Sequence, residues 1–498
     1  MNDALFIGID IGTQGTKTVL ADLSGKTVAE SFCPSELIRP DAFTVYEDPE
    51  KMLQSVLYTV RDVIQKSGKD GKSVKAIGID SQMAGIIGVD ENFNAVTPYD
   101  SWLDSRCGKY TELIKSEAEN EVVEHSGGQV AHTHASKILW WKNERPEAFE
   151  KIKKFVMPNG FVAGRLCGLK ASDAFMDYTF LHFNAFSDNL NLKYNKNLLK
   201  HFGINKDLFP KIVNPLYIAG TVQPEFAGLC NLGNDCKVIA GCGDTAASSL
   251  GAGIVKPGMA YDVAGTASVF ACGTTVFTPD TGHKTLLFSR SVFEDMFLPL
   301  SYIGGGGLCL KWFSDITGKT LKELDGEICC DPPAETPVFI PHFSGRAYPL
   351  DNGVSGAFLE LNANTSRADM YRSILESIAF EYKSYFDILL KSGCLTENTA
   401  VIGVGGGAKS PIFSKIKADV LGIDYIVPKS TDSAPAAMAL LSAKATGYIS
   451  EDLRDVFGVN YGNAEKYTPN HATAAHYRAK AKKYLSLLNR YSEYTKIQ

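Results

Sequence analysis

Short apolar runs and a stretch of helical periodicity alternate along the first part of the chain. Residues 5–9, 17–21 and 75–79 form runs of strand length that polar or glycine-containing turns separate. The segment that begins at Pro49 carries apolar residues at helical spacing, and proline is well tolerated in the first turn of a helix. This alternation predicts an α/β domain.

A carboxylate in a glycine-containing turn follows the first predicted strand. The chain reads Asp10-Ile11-Gly12-Thr13 and then passes through Gly15 into a second β-rich run. This order predicts a β-hairpin whose two glycines adopt positive φ and expose backbone N–H groups beside threonine hydroxyls. The turn would form a cradle of the size of a phosphate.

The acid in this turn indicates a metal as well as a phosphate. A carboxylate repels a phosphate unless a cation lies between them, so we predict a Mg²⁺-nucleotide site in which Asp10 holds the ion directly or through water. The glycine spacing and the strand that follows do not match a Rossmann fingerprint, and Gly71-Lys72-Ser73 lacks the earlier glycine of a Walker loop because position 66 is lysine. An ordinary hairpin without a ligand remains the alternative.

The hairpin pattern recurs weakly at 261–273, where Gly265-Thr266 stands in the place of Gly12-Thr13. Two such hairpins in one chain predict two similar domains that face a shared nucleotide. Further on, Gly405-Gly406-Gly407 ends an apolar run, and glycines at that position expose a surface on which a flat ring can stack.

Asp244 lies between the two hairpins, where the apolar run 238–240 passes through glycines into a helix of small residues. One interpretation is a helix N-cap, which would stabilise the fold by about 1 kcal/mol. The other is a general base that accepts a proton from a substrate hydroxyl as its oxygen attacks phosphorus. Gly241 and Gly243 would let a ligand approach the backbone, which favours the base.

Two further polar clusters suggest a substrate site. The strand 76–80 delivers Ser81-Gln82-Met83-Ala84-Gly85 at its carboxyl end, where ligand-binding loops of α/β sheets gather. The segment 100–106 combines Trp102 with carboxylates and Arg106, a mixture that suits a polyhydroxyl ligand. A structural tryptophan with a surface ion pair explains the second cluster equally well.

Composition narrows the possible classes of protein. The 498 residues exceed one ordinary hydrophobic core, so two or more domains are expected. A net charge of −6 and a pI near 5.9 give no electrostatic basis for binding nucleic acid or an anionic membrane. No apolar run reaches transmembrane length and no secretory leader precedes the first strand, so we expect a cytoplasmic protein. The 11 cysteines and His132-Thr133-His134 do not have the spacing of a zinc module.

The ordered set of motifs resembles one known family. Asp10-Ile-Gly-Thr, Gly241-Cys-Gly-Asp, Gly265-Thr266, the glycine turn before Lys311-Trp312 and Gly405-Gly-Gly-Ala-Lys-Ser occur in this order, and together they resemble the FGGY family of carbohydrate kinases in the actin-like ATPase superfamily. The resemblance spans about residues 5–445. It implies an α/β fold of two actin-like, ribonuclease H-like domains that face a central cleft, with residues 1–247 in the first and 248–498, including a helical tail, in the second.

The resemblance also implies an activity and a set of site residues. The reaction would be ATP plus sugar giving ADP plus sugar phosphate, with Mg²⁺ as cofactor and a homodimer as the family-based expectation. Asp244 would be the catalytic base, and Asp10 and Asp244 the acids associated with the metal. Nucleotide-binding positions implied by the resemblance are Thr13, Gln14, Gly15, Lys17, Gly265, Thr266, Gly307, Lys311, Gly406, Gly407 and Ala408. Sugar-binding positions implied in the same way are Met83, Ala84, Trp102, Asp104 and Asp244.

One departure concerns Gln82-Met83-Ala84-Gly85, which we call the sugar loop. Xylulokinases of this family usually carry Gln-Met-His-Gly, whereas this chain has Ala84 in the place of the histidine. Loss of a hydrogen-bonding group can change sugar preference by orders of magnitude. D-xylulose remains the leading expectation, with another ketose, a polyol or a sugar acid as alternatives.

A different class of function is an actin-like, ATP-driven binding module without sugar kinase activity. The Gly-x-Gly-Asp motif that ends at Asp244 and the sugar-loop cluster argue against it. Stimulation of ATP turnover by an added sugar distinguishes the two.

Overall fold

The computed structural model describes residues 3–265, 267–329, 332, 336–397, 399–429, 434–458 and 463–496. The strands are, in chain order, β1 (Leu5–Gly12), β2 (Gly15–Asp22), β3 (Thr27–Pro34), β4 (Tyr46–Glu47), β5 (Val74–Ser81), β6 (Ile87–Val89), β7 (Tyr99–Asp100), β8 (Lys154–Val156), β9 (Phe175–Asp177), β10 (Ser187–Asp188), β11 (Lys193–Tyr194), β12 (Lys211–Val213), β13 (Ile218–Thr221), β14 (Lys237–Ile239), β15 (Cys242–Gly243), β16 (Ala260–Ala264), β17 (Ser268–Cys272), β18 (Leu287–Arg290), β19 (Phe297–Ile303), β20 (Val338–Ile340), β21 (Ala357–Leu359), β22 (Val401–Val404), β23 (Tyr425–Val427) and β24 (Glu465–Tyr467).

The helices are, in chain order, α1 (Pro49–Ser67), α2 (Gly108–Ser126), α3 (His134–Glu144), α4 (Pro146–Phe149), α5 (Pro158–Cys167), α6 (Lys196–His201), α7 (Pro224–Leu229), α8 (Asp244–Gly251), α9 (Gly306–Thr317), α10 (Leu321–Glu327), α11 (Arg367–Lys391), α12 (Pro411–Leu421), α13 (Ala434–Ala445), α14 (Leu453–Val456) and α15 (Ala474–Thr495). None of the helices within the described residues is both long enough and apolar enough to traverse a bilayer.

The chain forms two compact units. The first unit comprises Met1–Val255, Phe288–Phe297 and Asp432–Gly458, and the second comprises Lys256–Leu287, Leu298–Thr431 and Val459–Gln498.

The first unit is built on a mixed sheet with the strand order β13-β14-β5-β1-β2-β3, to which β15 adds beside β5. β1 and β2 form the predicted antiparallel hairpin, in which Gly12 pairs with Gly15. β1 and β5 run parallel, so the ends of both strands reach the same edge of the sheet. The helix predicted from Pro49 is α1, which packs on β2 and β3 and is capped by the side chain of Asp48.

The helix α13 covers the other face of this sheet, although it lies far along the chain. It packs against β1 and β5 where these strands carry Gly8 and Gly78. A Cβ atom on Gly8 would lie 1.6 Å from the carbonyl oxygen of Pro435, and one on Gly78 would lie 2.3 Å from that of Met438. These two glycines therefore allow the backbone of a helix to approach the centre of the sheet.

The second unit repeats the central part of this arrangement. Its sheet contains β19-β17-β16-β22-β23-β24 in that order. β16 and β17 form an antiparallel hairpin, and β22 lies parallel to β16 on its other side, as β5 does beside β1. The hairpin predicted around residue 265 is therefore confirmed. The long helix α11 packs in this unit against α9, α12, α15 and β20.

Candidate active site

Three aspartates converge at the strand ends of the first unit. Asp10 on β1 is opposite Asp80 on β5 in the parallel register. Cys242 on β15 also pairs with Asp80, and Asp244 follows two residues later at the start of α8. The electrostatic interactions of Asp80 include both Asp10 and Asp244. The sheet thus brings three acidic side chains together at one edge.

Burial and mutual repulsion make these carboxyl groups weak acids. Burial raises the pKa of Asp10 to about 6, although its contact with Asp80 and the charge of Lys17 act in the opposite direction. Burial, and after it the negative charge of Asp10, raises the pKa of Asp244 to about 7. A proton acceptor with a pKa near the working pH is well suited to general base catalysis.

Asp244 is not the N-cap of its helix. Gly243 occupies that position, and no side-chain capping hydrogen bond is present there. The carboxylate of Asp244 instead accepts a hydrogen bond from the hydroxyl of Thr245 at 3.2 Å. The structure therefore does not support the capping interpretation of this residue.

The glycines around Asp244 serve packing, which corrects the expectation that they admit a ligand. Gly241 has a φ of 68°, and a Cβ atom on it would lie 1.7 Å from the carbonyl oxygen of Ile79. A Cβ atom on Gly243 would lie 2.4 Å from Cε of Met83. The sugar loop therefore packs directly against the residue that precedes Asp244.

A buried polar network holds the turn before Asp244, and the sequence did not reveal it. The backbone N–H of Gly243 donates to the hydroxyl of Thr179 at 2.9 Å, and that hydroxyl donates to Asp177. Asn159 donates to Asp177 at 3.3 Å and to the carbonyl oxygen of Ala240 at 3.0 Å. A fixed turn orients the carboxylate of Asp244, because α8 begins directly after it.

The turn of the first hairpin is joined to the sugar loop. The hydroxyl of Thr13 donates to the side-chain oxygen of Gln82 at 3.2 Å and accepts a hydrogen bond from Nε1 of Trp102 at 2.9 Å. The amide of Gln82 in turn donates to Glu47 at 2.8 Å. Gln82 belongs to the predicted substrate loop and joins it to the predicted phosphate turn, whereas the sequence analysis did not identify Glu47.

The remaining hairpin positions differ in their surroundings. Gln14 is exposed at the tip of the turn, and Lys17 pairs with Glu30 at 3.2 Å while lying opposite Asp10 across the hairpin. Of the two glycines expected to have positive φ, Gly15 has a φ of 156°, whereas Gly12 is not among the positive-φ residues of the described chain. The expectation of a positive φ is therefore wrong for Gly12.

The sugar loop itself is largely buried. Met83 and Ala84 are 6% and 8% exposed, and Ala84 has a φ of 64°, which is uncommon for a residue with a side chain. Trp102 is 40% exposed and is held by its hydrogen bond to Thr13. The indole therefore presents a fixed apolar surface beside the loop.

Asp104 has mainly internal partners. Its carboxylate accepts hydrogen bonds from the backbone of Val45 at 2.9 Å and from Arg106 at 2.8 Å. Arg106 also pairs with Asp100 at 2.5 Å, and both aspartates are almost fully buried. The ion pairs of this cluster thus support the segment that carries Trp102.

The second unit contains a largely apolar pocket of about 650 Å³ where the predicted glycines meet. Its lining residues are Ala264, Gly265, Ser268, Gly307, Leu310, Leu321, Lys322, Asp325, Tyr371, Leu375, Gly406, Gly407, Lys409, Ser410, Pro411 and Phe413. The backbone N–H of Gly307 donates to the carbonyl oxygen of Gly265 at 3.1 Å. A Cβ atom on Gly406 would approach no atom closer than 4.0 Å, so this glycine leaves open space at the wall.

Two predicted nucleotide positions of the second unit, Ala408 and Lys311, are not among the lining residues. Ala408 is buried. Lys311 is one turn after Gly307 on α9 and pairs with Asp315 at 2.8 Å on an exposed surface. Thr266 lies outside the described residues.

The residues at the aspartate cluster fit Mg²⁺. Carboxylate oxygens are the ligands that this ion prefers, and Mg²⁺ usually keeps several waters and contacts only one or two protein carboxylates. Both oxygens of Asp80 are buried, and its side chain hydrogen-bonds to that of Asp10. No group of three or more His, Cys, Asp and Glu side chains in the described ranges is arranged to ligate an ion together. Asp10 and Asp244 are the residues that would hold the ion.

Comparisons with known proteins show the family of the chain. Residues 5–251 match the model of the N-terminal domain of the FGGY family of carbohydrate kinases, and residues 307–446 match that of the C-terminal domain. A gluconokinase of Bacillus subtilis is 27% identical over 95% of this chain and 93% of its own. A xylulose kinase of Escherichia coli is 27% identical over 84% of this chain and 86% of its own.

Solved structures show the same fold at lower sequence identity. A ligand-bound xylulose kinase from Lactobacillus acidophilus has a TM-score of 0.88 at 24% identity, and 98% of each chain is covered. A gluconate kinase from the same organism has a TM-score of 0.89 at 23% identity, with the same coverage. The fold class predicted from the sequence, two actin-like α/β domains, is confirmed.

Proposed function

Because this chain belongs to the FGGY family of carbohydrate kinases, which transfer a phosphoryl group from ATP to a sugar, we propose that its acceptor is a pentulose such as D-xylulose and that Asp244 is the catalytic base. The observation that supports the base is the position of Asp244. Asp244 lies at the start of α8, directly after Gly243, against which Met83 of the sugar loop packs. The pKa of its carboxyl group is raised to about 7.

In this proposal the proton and the phosphoryl group move in one balanced step. A sugar hydroxyl donates its proton to the carboxylate of Asp244 as the hydroxyl oxygen bonds to the γ-phosphorus of ATP. The bond from that phosphorus to the bridging oxygen breaks, and ADP leaves. The network through Thr179 fixes the turn before Asp244, so that the base does not have to reorganise during the reaction.

We propose that Asp10 and Asp244 associate with Mg²⁺ through its bound water. When bound, the ion would neutralise phosphate charge. Lys17, paired with Glu30 and opposite Asp10, adds positive charge to the hairpin that carries Thr13, Gln14 and Gly15. In the second unit, the pocket lined by Gly265, Gly307, Gly406 and Gly407 would hold the nucleoside part of ATP.

The charges near the sugar loop support an uncharged acceptor. Arg106 is fully engaged with Asp100 and Asp104, and Lys137 donates to the backbone oxygens of Ser101 and Asp104 at 2.9 Å each. A sugar carboxylate would find neither cation available, and the carboxylates of the site would repel it. Trp102 provides instead an apolar face for the carbon skeleton of a neutral sugar.

Ala84 makes this pocket less polar than one with histidine at the same position. Its methyl group cannot donate or accept a hydrogen bond, so selectivity among neutral sugars would depend on Gln82, Trp102 and Asp244. A sugar acid such as gluconate is the second candidate, because gluconokinases of two Bacillus species match 95% and 99% of the chain.

A coupled ADP-release assay across D-xylulose, other ketoses, polyols and D-gluconate tests the proposal. We expect turnover to depend on Mg²⁺ and to be highest with D-xylulose or another pentulose. Highest turnover with gluconate would replace the pentulose by a sugar acid. ATP turnover that no sugar increases would contradict an acceptor site altogether.

The oligomeric state is part of the same family-based proposal. We propose a homodimer, which size-exclusion chromatography with light scattering would detect as twice the chain mass of 54.1 kDa. A species with the mass of a single chain would contradict it.

A further inference from the structure

Tyr99 is a buried residue beside the sugar loop, and the proposed reaction assigns no role to it. Its ring packs directly on the loop, since a Cβ atom on Gly85 would lie 2.3 Å from Cε2 and 2.4 Å from Cζ of Tyr99. Tyr99 also pairs with Glu47 across the antiparallel strands β4 and β7. Residues that pair across two strands have their side chains on the same face, so the ring of Tyr99 and the carboxyl group of Glu47 share one side of this ribbon.

The hydroxyl group of Tyr99 has no acceptor for its hydrogen within the described residues. It is buried and has no hydrogen-bond partner at normal geometry, although the backbone of Gly85 acts on its oxygen as a donor. A phenolic hydroxyl can both accept and donate, and an N–H group uses only its capacity to accept. A buried donor without an acceptor destabilises the fold. Such a group in a folded protein requires an explanation, and a functional role is one of the usual ones.

Two carboxyl groups of the site act on this hydroxyl. After burial, the charges of Glu47 and Asp244 contribute most to raising the pKa of Tyr99 well above its ordinary value. Tyr99 therefore keeps its hydrogen throughout the physiological pH range and can act as a donor. Glu47 accepts a hydrogen bond from the amide of Gln82, and Asp244 is the proposed base. The hydroxyl thus lies on the side of the sugar loop where the proposed base is found.

We propose that Tyr99 is a sugar-binding residue whose hydroxyl donates a hydrogen bond to a hydroxyl oxygen of the acceptor sugar. This inference rests on the proposed function, because it places the sugar between the sugar loop and Asp244. A site that donates to a sugar hydroxyl rejects an analogue without that hydroxyl, since the buried donor is then left unpaired. Tyr99 would therefore supply selectivity among sugars that the methyl group of Ala84 cannot supply.

Tyr99→Phe tests this inference because it removes only the hydroxyl. A neutral hydrogen bond contributes about 3- to 10-fold to affinity. The KM for the sugar with the highest turnover in the ADP-release screen should rise by this factor, while kcat and the KM for ATP stay within about twofold of the wild type. Calorimetric titration of the nucleotide-free full chain with the same sugar should show an equal fall in affinity without measuring catalysis.

Deoxy analogues of that sugar identify the contact itself. Each analogue lacks one hydroxyl, and at least one of them should bind the wild type and Tyr99→Phe equally well, because the hydrogen bond is already absent. The parent sugar should bind the variant more weakly than the wild type. An affinity loss of equal size for the parent and for every analogue would overturn the inference.

Thermal unfolding without sugar separates binding from a structural role. Tyr99→Phe should not melt below the wild type, because the change removes a buried donor that has no acceptor. Tyr194→Phe is the matched control. The buried hydroxyl of Tyr194 donates to the carbonyl oxygen of Pro210 at 2.8 Å, so this variant should melt at a lower temperature with an unchanged KM for the sugar.

The remaining outcomes distinguish this inference from the proposed function. An unchanged KM and affinity in Tyr99→Phe, or a lower melting temperature as its only effect, would overturn the inference and leave the proposed function intact. If gluconate has the highest turnover, the pentulose is wrong, whereas Tyr99→Phe still tests the contact with gluconate. A wild type that binds no sugar and whose ATP turnover no sugar increases would contradict both.

Discussion

Replacement of Asp244 by asparagine tests the proposed base most directly. Asn has nearly the same volume as Asp, and its amide oxygen can still accept the hydrogen bond from Thr245 that the carboxylate accepts at 3.2 Å. The variant loses only the negative charge and the ability to take up a proton. The fold should tolerate the change, because the ionised carboxylate is destabilised by burial and by Asp10.

The expected size of the effect follows from the role of the group. A positioned general base contributes about 10²- to 10⁴-fold to a rate, which corresponds to roughly 3 to 5.5 kcal/mol of activation free energy. We therefore expect kcat of Asp244→Asn to fall at least about 100-fold. The Kd for ATP measured without Mg²⁺ should change less than about threefold, because Asp244 does not line the glycine pocket of the second unit.

Steady-state ADP release gives kcat, and calorimetry gives the Kd for ATP. Asp188→Asn is a matched control: Asp188 is a mostly buried aspartate whose partners are Asn191 and Lys193, and its kcat should stay within about twofold of the wild type. If Asp244→Asn folds, binds ATP and retains more than a tenth of wild-type kcat, the assignment of the base is wrong. Loss of ATP binding in the absence of Mg²⁺ with intact folding would also refute the reasoning, since it would place Asp244 in direct contact with the nucleotide.

Three other substitutions test the packing, the pocket and the electrostatics. Gly8→Ala should lower the free energy of unfolding by about 3 kcal/mol or more in denaturant titrations, because its Cβ atom would lie 1.6 Å from the carbonyl oxygen of Pro435. The control Gly228→Ala should have little effect, because its Cβ atom would have no neighbouring atom within 4 Å. Equal stabilities of the two variants would refute the packing argument. Gly406→Leu should raise the KM for ATP at least about 10-fold, because the leucine side chain would occupy open space in the pocket that we assign to the nucleotide. The melting temperature should not change. An unaltered KM would exclude this wall from the nucleotide site. Burial raises the pKa of Glu47 from 4.5 to about 7, so the folded state binds more protons between these values and the contribution of Glu47 to stability falls as pH rises through this window. Glu47→Gln should therefore gain roughly 1 to 2 kcal/mol relative to the wild type between pH 5 and pH 8, and a difference that does not vary with pH would contradict the raised pKa.

The sequence predicted features that depend on short segments. The hairpin around Asp10, its counterpart near residue 265, the helix that begins at Pro49 and the α/β class follow from local pattern, and the structure confirms them. The family follows from the order of the motifs, and the comparisons confirm it.

The sequence also contained a signal that its interpretation missed. Ile-Gly-Ile-Asp occurs at 7–10 and again at 77–80, and a repeated strand that ends in an acid indicates two equivalent positions in one sheet. Only the parallel register places Asp80 beside Asp10. Glu47 had no comparable signal, because its relation to the sugar loop arises from a hydrogen bond to Gln82 across 35 positions of the chain.

The sequence by itself determined the local elements, the acidic residue types and the positions of the glycines, since backbone preference and apolar periodicity act over a few residues. Only the tertiary structure decided what those residues contact: Thr13 donates to Gln82, Asp104 supports Val45 and Arg106, and Gly8 and Gly78 accommodate a helix from beyond residue 430. Burial, and with it the raised pKa of Asp244, depends on segments that are hundreds of residues apart and that meet only when the sheet forms.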